Sequence, residues 1–331
     1  MPMPSCARCG RVELSLSSRS SLQIGIDLGG TKTEVAVLGA DHAFLLRHRV
    51  STPTERYQDI LRVIAELVGL ARTQCQMAPD VPVGIGIPGC IDPTTQRVRG
   101  ANTQVLNGER LQQDLEQRLG CKVCVENDAN CLALSESVDG AAAQAQVVFA
   151  VILGTGCGGG LALNQKVWRG KNALAGEWGH NPLPWPSADE LAVPPCWCGQ
   201  VGCIETWLSG PGFAQDHARA CGVLLQPEAL VAAMRAKDEA ATRSFLRYAD
   251  RLARALAQVV NLLDPDVIVI GGGMSQVSEI YSAVPALMGQ HTFTRPIHTP
   301  VVQAMHGDSS GVRGAAWLCG AELGAPIRNR T

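Results

Sequence analysis

Leu22-Gln23-Ile24-Gly25-Ile26-Asp27-Leu28-Gly29-Gly30-Thr31-Lys32-Thr33-Glu34 is the stretch whose reading decides the fold. Leu22 to Ile26 reads as a strand, Asp27 to Thr31 as a glycine turn, and Glu34 to Leu38 and then Phe44 to Val50 as further strands, so the chain opens as antiparallel strands joined by tight turns. Ile60, Val63, Ile64, Leu67, Val68 and Ala71 recur at helical spacing. Val83 to Ile87 then predicts a buried strand ending at Pro88-Gly89. The order is strand, strand, strand, helix, strand.

The same opening occurs again downstream. Val147 to Leu153 predicts a strand that runs into Gly154-Thr155-Gly156-Cys157-Gly158-Gly159-Gly160 and resumes at Leu161-Ala162-Leu163. Phe245 to Leu263 has the spacing of a long helix, Asp264-Pro265-Asp266 stops it, and Val267 to Ile270 leads into Gly271-Gly272-Gly273. A duplicated α/β protein is expected, with residues 1–21 as a loose extension, 22–130 as an N-terminal lobe and 131–331 as a C-terminal lobe. An insertion over about 166–212 interrupts the second copy.

Composition agrees with this. The 331 residues are 46% hydrophobic and 18% charged with 35 glycines, which suits a two-lobed soluble enzyme and excludes disordered and fibrous classes. A net charge of −2 gives no field that would gather nucleic acid or an anionic membrane, so the expected partner is a small molecule. No apolar run is long enough to span a membrane and the N-terminal stretch has no signal-peptide core, so a cytoplasmic location is expected. The 13 cysteines are too sparse for a disulfide scaffold and cannot all pair, which predicts reduced thiols and a metal site. Cys6 and Cys9 form a CxxC with no further ligands adjacent and are given no function.

Three glycine-rich turns each follow a strand: Asp27 to Thr33, Gly154 to Gly160, and Gly271 to Ser275. Each clears side chains from places where backbone amides can approach an anion. None has the P-loop pattern, and the third lacks the spacing of a dinucleotide fingerprint. Val125-Glu126-Asn127-Asp128-Ala129-Asn130 marks a strand end opening into a helix, where Asp128 by itself would suit an N-cap. Glu177-Trp178-Gly179-His180 is followed by Cys196-Trp197-Cys198-Gly199-Gln200-Val201-Gly202-Cys203-Ile204-Glu205. His180, Cys196, Cys198 and Cys203 are enough to close a tetrahedral structural Zn²⁺ shell with no open position.

In this order, the glycine turns, Asn127-Asp128 and the cysteine segment resemble the duplicated actin-like (ribonuclease H-like) ATPase fold, two lobes with a cleft between them. More narrowly, residues 22 to 320 resemble the ROK family of sugar kinases. That resemblance implies ATP-dependent phosphorylation of a free hexose with Asp128 as the base that takes the sugar's proton. It implies phosphate contacts from Gly29, Gly30, Thr31, Lys32, Thr33, Gly154, Thr155 and Gly156, adenosine contacts from Gly272 and Gly273, and Mg²⁺ held through water by Asp27. It also implies sugar contacts from Asp128, Glu177, His180 and Glu205, with Asn102 and Asn127 further candidates by position, and makes the zinc a brace for the sugar pocket.

A sugar-sensing transcriptional regulator of the same family would need a helix-turn-helix domain, for which the residues before Leu22 are too few. A zinc hydrolase would need an open metal position, which four protein ligands close. Within the kinases, Glu177 to Trp185, Asp27 to Glu34 and Asn127 to Glu136 resemble the bacterial manno(fructo)kinase branch. Fructose phosphorylated at O6 is therefore the expected reaction, mannose and glucose being further substrates, with N-acetylglucosamine kinase as the alternative. The sequence leaves open whether the chain forms a homodimer.

Overall fold

A computed structural model describes residues 22–191 and 195–322, so residues 1–21, with their expected extension and CxxC, lie outside the described residues. Two five-stranded sheets repeat one topology. The first has the order β3-β2-β1-β4-β7, built from β1 (Gln23–Leu28), β2 (Lys32–Leu38), β3 (Phe44–Ser51), β4 (Val83–Ile87) and β7 (Val123–Asn127). The short ribbon of β5 (Cys90–Ile91) and β6 (Val98–Arg99) branches off after β4. The second sheet has the order β10-β9-β8-β11-β12, from β8 (Val147–Leu153), β9 (Cys157–Leu163), β10 (Lys166–Val167), β11 (Val267–Gly271) and β12 (Val301–Gln303). In each, the first three strands are antiparallel and the last two run parallel to the first. This is the expected duplicated two-lobed architecture.

The helices are α1 (Tyr57–Gln74), α2 (Leu111–Leu119), α3 (Asp128–Val138), α4 (Glu205–Leu208), α5 (Gly210–Cys221), α6 (Pro227–Arg235), α7 (Glu239–Leu263), α8 (Glu279–Met288) and α9 (Ser310–Glu322). The long helix begins at Glu239, ahead of the expected Phe245, because the Asp238 side chain accepts the Ala241 amide at 2.8 Å and caps it there. No described helix is long and apolar enough to cross a membrane.

Two helices cross between the lobes. α3 follows the first sheet but packs on β8 and β9, whereas α9 follows the second sheet but packs on β1 and β4, and the two helices pack on each other. The approach of α9 is very close: a Cβ on Gly84 would stand 1.7 Å from the Ala315 carbonyl oxygen. Only glycine fits there. The return of α9 also brings Cys319 to Cys124 of β7, Cα atoms 5.7 Å apart and paired as a disulfide. The expectation of reduced thiols is corrected at these two positions, because a pairing across 195 residues depends on that return; Cys75, Cys90, Cys121, Cys131, Cys157, Cys196, Cys198, Cys203 and Cys221 are free.

Candidate functional site

Parallel strands put their carboxyl ends on one edge of each sheet, and ligands of open α/β sheets bind there. In the first sheet, Asp27 of β1 pairs with Gly86 of β4, and Ile87 of β4 with Asn127 of β7, so Asp27, Pro88-Gly89 and Asn127-Asp128 reach the same edge. In the second sheet, Gly154 follows β8 and Gly272 follows β11 on the corresponding edge.

Asn127-Asp128 is held from several sides. Glu126, buried and ion-paired with Arg169, accepts the Asn127 amide at 2.9 Å and the Asn130 side chain at 3.0 Å. Asn130 in turn accepts the Leu161 amide at 3.2 Å, fixing α3 to β9. Asn127 Nδ2 donates to the Gly89 carbonyl at 3.2 Å. Burial pushes the Asp128 carboxyl up to about 6, against the Ala129 amide bond that lowers it, and the Glu177 charge adds to the rise. Burial, with the charges of Asp128 and Glu34, pushes Asp27 up to about 7.

A cavity of about 560 Å³ opens over this floor. Asn102, Asn127, Asp128, Glu177, His180 and Glu205, the expected sugar contacts, all line it. Burial, reinforced by the Glu205 charge, holds the Glu177 carboxyl above the usual carboxylate range despite His180. Trp178 is buried and donates from Nε1 to the Gly158 carbonyl at 2.9 Å, which docks the turn carrying Glu177 and His180 onto β9. Glu205 Oε2 accepts the Cys157 amide at 2.9 Å.

A second cavity, of about 920 Å³, is lined by Gly154, Thr155 and Gly273 together with residues of α5 and α6. Thr155 belongs to both cavities, so the second glycine turn stands at their junction. Gly156 lines the smaller cavity, and Gly272 precedes the Gly273–Gln276 turn at the rim of the larger. Gly29, Gly30 and Thr31 form the β1–β2 turn and Lys32 opens β2; these four line neither cavity, although Gly30 faces Asn102 and Thr103. Thr33 lies deeper, buried, with its hydroxyl bonded to that of Thr52 at 2.8 Å.

His180, Cys196, Cys198 and Cys203 converge, their ligand atoms all within 4.8 Å of one another. His180 Nδ1 lies 3.6 Å from Cys196 Sγ, and Cys198 Sγ 3.6 Å from Cys203 Sγ. Bonds of about 2.3 Å to sulfur in a tetrahedral shell require ligand separations of roughly this size, so the donor set fits a zinc ion. Gly199 adopts φ 90°, which turns the chain so that Cys196 and Cys198 face Cys203. Because Nδ1 is the nitrogen in the cluster, Nε2 of His180 is left for other partners.

Several lining residues have no motif to reveal them. Arg99, Leu174 and Cys90 in the smaller cavity and Gln215, Glu228 and Arg235 in the larger sit in segments without recognisable spacing. Trp197 also lines the smaller cavity and does lie inside a motif, as the spacer of CxC.

The fold and the cleft are those of an ATP-dependent sugar kinase. The chain belongs to the ROK family, whose model matches residues 23–322. It is 38% identical over 305 residues to an N-acetyl-D-glucosamine kinase of Pasteurella multocida, covering 90% of this chain and 99% of that protein. Among solved structures, it resembles a ROK hexokinase of Thermus thermophilus with TM-score 0.80 and 29% identity, covering 91% of this chain and 99% of that one. It also resembles a ROK family glucokinase of Streptomyces griseus in complex with glucose and AMPPNP, TM-score 0.74 and 30% identity, covering 89% and 98%. The Pasteurella protein and seven further relatives, each 37% or 38% identical, all bear the name N-acetyl-D-glucosamine kinase. This overturns the expected manno(fructo)kinase branch and its fructose reaction. Of the three segments behind that expectation, Asp27 to Glu34 lines neither cavity, and only Asn127, Asp128, Glu177 and His180 of the other two line the smaller one.

Proposed function

We propose that the chain transfers the terminal phosphoryl group of ATP to a hydroxyl of free N-acetyl-D-glucosamine. The observation that carries this reading is the agreement of eight relatives on that name across about nine-tenths of the chain. Asn102, Asn127, Glu177, His180 and Glu205 hold the sugar in the 560 Å³ cavity, and the nucleotide occupies the 920 Å³ cavity against Gly272 and Gly273. The phosphates lie along Gly154-Thr155-Gly156, with Gly29 to Lys32 at the β1–β2 turn contributing from the other lobe, whereas Thr33, buried against Thr52, supports that turn from beneath rather than contacting phosphate as expected. Asp128 accepts the proton of the attacking hydroxyl. Its carboxyl, raised to about 6, is ionised at neutral pH yet more basic than an ordinary aspartate, which suits a general base.

Asp27 would hold Mg²⁺ through water, and the ion would neutralise charge on the phosphates. His180, Cys196, Cys198 and Cys203 would hold a structural Zn²⁺, which would fix the imidazole plane and tie the segment carrying Glu205 to the Glu177–His180 turn.

A panel of N-acetylhexosamines and free hexoses assayed for ADP release tests the substrate. The highest kcat/KM is expected for N-acetyl-D-glucosamine. A clear preference for glucose, as the Streptomyces glucokinase resemblance would favour, or for another unacetylated hexose, overturns the assignment while leaving the kinase reaction standing.

A further inference from the structure

Glu205 is gripped at both oxygens. Oε2 accepts the Cys157 amide from the second glycine turn, and Oε1 accepts the indole N–H of Trp197 at 2.6 Å. One bond alone would leave the carboxylate free to rotate about its last torsion, whereas two bonds, one to each oxygen, fix its plane. A hydrogen bond to a charged acceptor is also among the stronger kinds. The same indole ring meets the His180 ring edge-on, centroids 5.0 Å apart at 85°. Two of the proposed sugar contacts are thus held by one side chain.

Trp197 is nevertheless 63% exposed, on the rim of the 560 Å³ cavity. Trp168 and Trp185 are also exposed; Trp197 differs in lining this cavity with its N–H bonded to a carboxylate of the same lining. A tryptophan has an apolar face and a polar N–H at its edge, so it can bond one group while offering the face to another. Here the N–H is spent on Glu205, and the face is available to the C–H side of a pyranose ring.

We propose that Trp197 is a positioning residue for the sugar: its N–H sets the Glu205 carboxylate, and its ring forms one wall of the bound pyranose. This rests on the sugar-kinase reading of the cavity. The role does not require the ring to enter the chemistry, so it should be felt in sugar binding rather than in turnover.

Trp197→Phe retains an aromatic ring and removes the N–H. It is expected to raise the KM for the preferred sugar about tenfold, the scale of one hydrogen bond to a charged group, with kcat and the KM for ATP nearly unchanged. Sugar binding should also alter tryptophan emission in the wild-type protein, and by less in the variant, in which the other five tryptophans remain. In the double variant with Glu205→Ala, the Trp197 substitution should add little, because the acceptor it holds is gone; full additivity of the two losses would contradict the role. A variant with wild-type sugar KM, or one whose sugar-dependent emission change is as large as the wild type's, overturns the proposal while the kinase reading survives. Wild-type protein that phosphorylates no sugar overturns both.

Discussion

Asn127 caps the helix that Asp128 begins. Its Oδ1 accepts the Ala129 amide at 2.9 Å and the Asn130 amide at 3.3 Å, so the capping role that Asp128 by itself would suit is taken by its neighbour. Asp128 bonds the Ala129 amide through Oδ1 at 2.8 Å and lines the cavity. Asp128→Asn should therefore leave the helix and both ligand affinities almost intact while turnover falls at least about a hundredfold, the usual scale for losing a general base. Purified variant retaining a tenth of wild-type turnover would remove Asp128 from the base role.

The same carboxylate sets an acid limit on activity. A base works only when ionised, and burial has raised Asp128 to about 6, so kcat/KM for the sugar should fall as pH drops through about 6. Glu177→Gln removes a neighbouring negative charge that opposes ionisation, and should move that limb to lower pH, whatever it does to sugar affinity. A limb near the ordinary aspartate value, about 4, would mean that burial does not govern the base.

Metal content provides an independent test of the brace. Cys198→Ser breaks a donor set whose ligand atoms lie within 4.8 Å of one another, and should lower zinc content and sugar affinity together. Losses of about tenfold to a hundredfold are the scale for a disturbed metal surround. ATP binding should persist, because the larger cavity is lined from other segments. Elemental analysis should find close to one zinc per wild-type chain; metal-free protein with full activity would eliminate both the ion and its bracing role.

Glycine punctuation makes much of this architecture legible in the amino-acid sequence. Val83–Ile87 and Val147–Leu153 emerge with the expected bounds because each is a short apolar run closed by a proline or glycine. The six expected sugar-contact residues come from four separate segments, and the structure brings all six to the lining of one cavity. What stays hidden depends on long-range packing. Gln215, Glu228 and Arg235 face the larger cavity only because α5 and α6 fold over it, and nothing in their local pattern announces that. The choice of sugar is hidden for a related reason: Asn127, Asp128, Glu177 and His180 lie in recognisable motifs, whereas Arg99 and Leu174, in segments without a motif, line the same cavity.

The return of α9 to the first sheet yields a prediction about stability that needs no ligand. Gly84 lies in β4 beside Gly25 of β1, with which it is paired in register, and both face the crossing helix. A Cβ at Gly84 would stand 1.7 Å from the Ala315 carbonyl and 3.3 Å from the Leu318 side chain, so the helix backbone itself must shift. Backbone cannot rotate out of the way as a flexible side chain can. Gly84→Ala should therefore cost at least about 1–3 kcal/mol, the range for overpacking a tight interior, and lower the Tm by several degrees. Gly69 supplies the contrast, since it lies within α1 and a Cβ there meets nothing within 4 Å. Gly69→Ala should stabilise by roughly 0.5–1 kcal/mol through helix propensity. Thermal melts of the two variants beside wild type decide the matter: if Gly84→Ala melts at or above the wild-type temperature, the close seat of α9 on β4 is wrong.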